Sequence, residues 1–226
     1  MKYYQVGGSV RDEILGEKSR DIDFAVECPS YEAMRNDILA KQMTIFLESP
    51  QYLTIRAKTK EGEVADFVLC RKEGAYYDGR HPSSVEPGTI YDDLARRDFT
   101  MNAIAKDMET GEIIDPHNGR LDIGAHLVEC VGDAEARIQE DSLRMLRAIR
   151  FAITKEFYIS PTIQELIHTY GRDIQDVSVE RVREELLKCF AKDTLRTWDY
   201  LEKFEALRKT IFGKMGLRLT PTLKQS

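Results

Sequence analysis

Apolar side chains recur at about every second position through much of the first 131 residues; after residue 134 they recur every three to four. The alternating stretches read as strands at 3–6, 22–26, 44–48, 52–57 and 63–70, with shorter ones at 103–107, 112–115 and 127–131. Between the first two, Ser9 caps a helix that runs to about Leu15, with Asp12 three residues on and Gly16 as its stop. Ser30 opens a second helix to about Lys41. Residues 71–92, with Gly74, Gly79, Pro82, Pro87 and Gly88, read as a polar loop long enough to be functional or mobile. A short helix follows from Asp92, and turns fall at Gly111 and at His117-Asn118-Gly119.

From Ala134 to Phe212 the period is helical, broken near 155–160, 171–177 and 192–193. Leu143, Leu146 and Ile149 form one ridge, and Leu166, Ile167 and Tyr170 another. Ser160-Pro161 starts a helix. A last helix over 194–212 spaces Trp198, Leu201, Phe204 and Leu207 on one side, and the tail after Gly216 frays. The fold class is therefore α+β: a mixed β-sheet domain over 1–132, an all-helical domain over 133–192, and a short helical remnant over 193–226.

The strand over 22–26 follows Asp21 and holds Asp23, with Ile22 and Phe24 between and beyond them. Strand side chains alternate in face, so both carboxylates share one face, with Cβ atoms about 6–7 Å apart. Two negative charges at that distance repel by about 2–3 kcal/mol at an effective dielectric near 20. A hard divalent cation such as Mg²⁺ removes that cost and prefers a few carboxylates plus phosphate oxygens. The preceding Gly7-Gly8 turn into a helix supplies a phosphate cradle. The combination points to metal-dependent phosphoryl or nucleotidyl transfer; the bland alternative is an ordinary turn before a solvated strand edge. Asp66, on a neighbouring strand in EVADFVLCR, is placed to join or orient the pair, or is a plain edge-strand acid.

Two further stretches carry chemistry. Arg96-Arg97-Asp98 with Asn102 suits a phosphate clamp, because guanidinium binds phosphate in bidentate fashion; a surface ion-pair cluster reads the same way. Asp141, Arg144, Arg147 and Arg150 fall on an i, i+3 row, which on spacing alone describes salt bridges on a solvated helix face. Donor and acceptor chemistry adds a sharper reading. Cytosine and adenine both present an amino donor beside a ring-nitrogen acceptor, which an Asp and an Arg satisfy together. Guanine and uracil present the opposite pattern. One Asp/Arg couple can thus accept CTP and ATP and reject GTP and UTP, while another Arg stacks on the base.

The 226 residues are 42% hydrophobic and 32% charged, with a net charge of −6. That balance does not advertise nucleic-acid binding, although a local basic groove is enough for it. Cys28, Cys70, Cys130 and Cys189 form no CxxC pair, which argues against a zinc site and for reduced core thiols. With no run of 18 apolar residues and no signal-peptide pattern, the expectation is no membrane and a cytoplasmic protein.

Six stretches in order, GGSVRD (7–12), DID (21–23), DGRHP (78–82), RRDFTMNAIA (96–105), EDSLRMLRAIRFA (140–152) and SVERVREEL (178–186), resemble the class II tRNA nucleotidyltransferase (CCA-adding enzyme) and bacterial poly(A) polymerase family. The resemblance covers about residues 1–190. It implies a nucleotidyltransferase head domain followed by a helical neck that recognises the base. Asp21 and Asp23 would bind Mg²⁺; Asp66, from its place on the neighbouring strand rather than from the resemblance, is the third catalytic candidate. Gly8, Arg11 and Arg97 would hold the triphosphate, with Gly7, Ser9, Asp98 and Asn102 around it. Asp141 and Arg144 would read the base, supported by Arg147 and Arg150. Asp78, Arg80 and His81 would belong to the flexible loop associated with completing the terminal A. The implied substrates are the tRNA 3′ end, CTP and ATP. Poly(A) polymerase, CC-adding and A-adding activities are the neighbouring readings, and an RNA-binding module derived from the fold is the non-enzymatic one. About 35 residues follow the neck, where family members continue into tRNA-gripping body and tail domains. Either the chain is a minimal enzyme, or a homodimer or a partner supplies that grip.

Overall fold

The computed structural model describes residues 1–19, 22–60, 62–73 and 85–218. Asp21, Asp78, Arg80 and His81 lie outside them. The chain divides into two compact units, Met1–Gly132 and Asp133–Ser226.

In the first unit the strands are β1 (Lys2–Val6), β2 (Ile22–Glu27), β3 (Thr44–Ser49), β4 (Thr54–Lys58), β5 (Val64–Leu69), β6 (Arg71–Glu73), β7 (Val85–Pro87), β8 (Ala105–Asp107), β9 (Ile113–Ile114) and β10 (Leu127–Val128). Its helices are α1 (Gly8–Ile14), α2 (Tyr31–Ala40), α3 (Ile90–Ala95) and α4 (Gly119–Gly124). Among the described residues one mixed sheet runs β3-β4-β5-β2-β1-β8-β9. β2 and β5 pair in parallel, and the remaining neighbours are antiparallel. Alternation along β2 works as the pattern requires. Ile22, Phe24 and Val26 join the core beneath α2, built on Met34, Ile38, Ile55 and Phe67, and Phe24 stacks on Phe67 at 5.2 Å. Ala25 joins the opposite core with Tyr4, Val6, Ile90 and Leu94. Asp23, two residues earlier, therefore faces the same side as Ala25.

Several local expectations change. Ser9 does not cap α1. The helix begins at Gly8, and Gly7 turns the chain into it at φ 70° without a side-chain cap. Ser9 is thus already inside the first turn, where its buried hydroxyl donates to the Val6 carbonyl at 3.0 Å. The fourth strand starts at Thr54, because Pro50–Tyr52 forms a 3₁₀ turn and Leu53 is left-handed. The long polar loop is not wholly loop: β6 pairs with β7, and Thr89 and Asp92 form a capping box that starts α3. Those two strands are three residues each and largely polar, so no apolar alternation marked them.

The turn at 117–119 leads into α4, a helix the pattern did not show. Asp115 accepts from the backbone N–H of Gly119 and Arg120 at 2.7 and 2.9 Å. Gly119 is packed so tightly that a Cβ there would sit 2.2 Å from the Thr100 carbonyl oxygen and 2.9 Å from Ile104. Backbone cannot step aside as a flexible side chain would. Gly119→Ala is expected to cost about 3 kcal/mol, the upper range for overpacking, and to lower the thermal midpoint by roughly 6–12 °C. A midpoint equal to wild type in thermal denaturation would refute that reading.

The second unit holds α5 (Ala134–Glu140), α6 (Leu143–Thr154), α7 (Pro161–Tyr170), α8 (Val179–Lys192), α9 (Thr194–Lys203) and α10 (Glu205–Lys209). Helix α6 buries most of its length, including Leu143, Leu146, Ile149 and Phe151, and packs on α8, which buries Val182, Leu186 and Cys189. Ser160 caps α7 ahead of Pro161, its hydroxyl accepting from the Ile163 N–H at 3.3 Å. Two expectations fail here. Asp141 is not on the arginine helix: its backbone is extended, at φ −151° and ψ 100°, between α5 and α6. The last helix is not continuous either. Phe204 breaks it at φ −105° and ψ 66°, and a π-type turn over Thr210–Lys214 follows α10. Leu201, Phe204 and Leu207 are all buried across the break, so the apolar spacing conceals it.

Candidate active site

The glycine turn after β1 is the centre of the site in the first unit. A Cβ on Gly7 would lie 2.9 Å from Arg97 Nη1 and 4.0 Å from Asp23 Oδ2. A guanidinium and a carboxylate thus converge on a turn that has no side chain to keep a ligand off its backbone. Sequence separates these three residues widely. The sheet unites them: Val6 pairs with Asp23 across β1 and β2, and Arg97 follows α3, whose Ile90 and Leu94 pack on the same side.

A buried polar network holds the cationic side. Arg11 is only 5% exposed. Its Nε and Nη2 donate to Asp12 Oδ1 at 2.9 and 2.7 Å, and its Nη1 donates to Asn102 Oδ1 at 2.6 Å. Asn102 donates in turn to Asp98 Oδ1 at 3.2 Å. Arg97 donates to the Asn102 carbonyl at 3.2 Å. Gly8 adjoins the same guanidinium; a Cβ there would lie 3.4 Å from Arg11 Nη2. The structure therefore brings Gly7, Gly8, Arg11, Arg97, Asp98 and Asn102, the residues expected around the triphosphate, into one place, with Asp23, the expected metal ligand, beside them.

Sequence reading missed Asp93. Its side chain is fully buried and accepts from both arginines of the pair, from Arg97 Nη2 at 2.9 Å and from Arg96 through Nε and Nη2. Burial alone would raise this carboxyl; the Arg97 and Arg96 guanidiniums outweigh it and hold it below the ordinary value. The signal was present in the i, i+3 and i, i+4 spacing of Asp93 to Arg96 and Arg97.

Asp66 stands beside Asp23 in the parallel register of β5 and β2, so the two carboxylates share a face. Across the other side of β5, Arg56 of β4 pairs with Asp66, with Nε–Oδ1 at 2.6 Å and Nη2–Oδ2 at 2.5 Å. Arg56 offsets the charge of Asp66 and keeps two neighbouring acids compatible. This donor set fits a hard divalent cation, which needs only one or two carboxylates when phosphate oxygens and water complete its shell. Asp23 and its sequence partner Asp21 are the residues that would hold it. Among the described residues no three His, Cys, Asp or Glu side chains gather as an all-protein metal cage.

In the second unit the acid and the arginines expected to form one row are divided. Asp141 Oδ1 accepts from the Leu143 N–H at 3.1 Å, and its carboxylate pairs with Arg181 at 2.7 Å. Arg144 turns back toward α5 and donates to the Arg137 carbonyl and to Glu140 at 2.5 and 2.7 Å. Arg150 pairs with the buried Glu185 of α8, with its guanidinium 3.9 Å from the centroid of the Phe151 ring. Arg147 also reaches toward Glu185, at 3.9 Å. Arg181 and Glu185 both lie in the SVERVREEL stretch, whose individual residues carried no assigned role.

A mixed sheet bearing an acidic strand beside a glycine turn and an arginine cradle is a nucleotidyltransferase head domain. Residues 3–129 match the family described as the poly A polymerase head domain, so the chain belongs to that family, the one its motifs resemble. Residues 156–211 match a second family, described as the probable RNA and SrmB-binding site of polymerase A. A CCA-adding enzyme from Bacillus cytotoxicus is 37% identical over 224 residues, which is 99% of this chain and 52% of that protein. The chain thus spans about half the length of this curated relative. A crystal structure of Bacillus stearothermophilus CCA-adding enzyme in complex with CTP is 32% identical, with a TM-score of 0.80 over 93% of this chain and 50% of that one. A tRNA nucleotidyltransferase complexed with a primer tRNA and an incoming ATP analog is 27% identical, with a TM-score of 0.77 over 94% of this chain and 60% of that one.

Proposed function

We propose that this chain is a template-independent tRNA nucleotidyltransferase that adds C and A residues to the tRNA 3′ end from CTP and ATP by two-metal catalysis with Mg²⁺ and releases pyrophosphate. The observation that carries the reading is the convergence of Asp23 and Arg97 on the Gly7 turn, in a fold shared with relatives bound to CTP, or to tRNA and an ATP analog. A bare RNA-binding module has no need of an acid pair facing a phosphate cradle.

In this mechanism the RNA 3′-hydroxyl oxygen attacks the α-phosphorus of the bound nucleotide. The bond to the bridging oxygen breaks and pyrophosphate leaves. Arg97 and Arg11 neutralise the triphosphate and the charge that gathers on the leaving group. Asn102 and Asp93 hold those guanidiniums in place. Asp23 and Asp21 would ligate Mg²⁺, which when bound lowers the pKa of the attacking hydroxyl and neutralises phosphoryl oxygens. Asp141 would accept from the amino group of cytosine or adenine and Arg144 would donate to the ring nitrogen, which requires Asp141 to share its carboxylate with Arg181 and Arg144 to turn away from Glu140 when the nucleotide binds.

The deciding experiment incubates the chain with tRNA lacking CCA, labelled CTP or ATP, and Mg²⁺, and reads the added length. Three nucleotides are expected; two, one or a long ladder would replace the assignment with a CC-adding, A-adding or poly(A) activity, and no addition would refute catalysis. In the same assay Asp141→Ala is expected to lower discrimination of CTP and ATP against UTP and GTP by about 10- to 100-fold, the worth of one hydrogen bond to a charged group. Unchanged discrimination would remove Asp141 from base reading.

A further inference from the structure

The two units differ in charge. Asp133–Ser226 carries 17 Lys and Arg against 15 Asp and Glu, whereas Met1–Gly132 carries 16 against 24. In the second unit, a recess of about 420 Å³ is lined by Arg172, Gln175, Glu205, Lys209, Thr210 and Lys214, with Ala206 at its wall. Three cations face one anion there. Lys209 pairs with Glu205 at 2.7 Å, and Lys214 donates to Gln175, which leaves Arg172 as the fork with no described partner inside the recess. The walls are fixed. A Cβ on Gly171 would lie 3.0 Å from the Leu207 N–H nitrogen, so the turn carrying Arg172 lies flush against α10. Thr210 is buried and bonded to the Ala206 carbonyl at 2.9 Å.

We propose that this recess binds backbone phosphate of the RNA substrate, at a site separate from the residues assigned to the nucleotide. The inference rests on the reading that the chain acts on tRNA. A guanidinium flanked by two ammonium groups in a concave, hydrogen-bonding surface suits a phosphodiester, which guanidinium grips through two oxygens while lysines add point charge. No aromatic side chain lines the recess to stack on a base, so the contact follows the backbone and is indifferent to sequence. The matched RNA-binding family spans Arg172 through Thr210, which agrees with RNA as the occupant.

The test is direct binding of tRNA lacking CCA, measured by fluorescence anisotropy from 50 to 200 mM salt, with steady-state constants for CTP alongside. Arg172→Ala/Lys209→Ala is expected to weaken tRNA binding about 10-fold and to flatten the dependence of log K on log salt by about 1–2. The KM for CTP stays within about twofold of wild type, because no nucleotide contact is lost. Lys155→Ala/Lys192→Ala removes the same charge outside the recess and serves as the control. Equal losses in the two variants, an unchanged slope in the recess variant, or a raised KM for CTP would overturn the proposal. Binding needs no catalysis, so a chain that binds tRNA without extending it overturns the proposed activity and leaves the recess judged on the slope alone.

Discussion

Asp23→Asn is expected to reduce CTP incorporation by at least about 10²–10³-fold, the loss that follows removal of one preorganised electrostatic stabiliser. The fold should survive the change. Asp23 pairs in register with Asp66, and two carboxylates about 5 Å apart repel by about 3 kcal/mol at an effective dielectric near 20. Removing one charge relieves that repulsion. Asparagine also keeps the side-chain shape and its hydrogen-bonding capacity. Thermal denaturation should therefore give a midpoint within a few degrees of wild type. Activity within tenfold of wild type would dismiss Asp23 as a metal ligand, whatever the fold does. A collapsed midpoint would say that the acid is structural. Arg56→Ala separates the roles further, because Asp66 would then lose the guanidinium that offsets it and the strain of two adjacent acids should appear as lower stability before any change in nucleotide choice.

Much of this site was legible before folding. Strand alternation alone put Asp23 opposite Ile22 and Phe24, since two residues of a pleat cannot share a face with the one between them. Two adjacent arginines ahead of an Asp and an Asn suggested a phosphate clamp through their chemistry, and the fold brings Arg97 to the glycine turn. The α+β class followed from the change of apolar period near residue 132, and the motif order identified the family. What stayed hidden depended on distance in space or on one backbone angle. Asp93 sits in DDL, which reads as the acidic first turn of a short helix. Only packing reveals that it is the buried counter-charge of the clamp. Asp141 keeps the i, i+3 spacing to Arg144 while lying outside the helix, because one extended residue leaves sequence spacing unchanged. Phe204 interrupts α9 and α10 at a position that is apolar and buried on either reading.

With Arg97 in the proposed role of gripping the triphosphate, Asp93 is the position where stability and substrate binding should be linked. It is buried, and two guanidiniums depend on it. Asp93→Asn keeps the volume but leaves Arg96 and Arg97 without their shared anion; breaking a buried pair in this way costs about 3–5 kcal/mol. The thermal midpoint should fall by roughly 10 °C. The effect has a definite pH window. The folded carboxyl lies below the ordinary value of 3.8, so its stabilisation is complete above that value and is lost as pH falls through the lower folded one. The gap between wild type and variant should therefore be constant near neutrality and narrow only in acid. Substrate binding should weaken with it. Arg97, which now reaches the Gly7 turn while anchored to Asp93, loses its aim, and the KM for CTP is expected to rise about tenfold with a smaller change in kcat. Asp93→Glu keeps the charge and should recover part of the KM, whereas a purely structural role would follow side-chain volume and make Glu the worse variant. Asp92→Asn is the neighbouring control: it weakens the Thr89 cap without touching either arginine, so it should cost about 1 kcal/mol and leave the KM for CTP where it was.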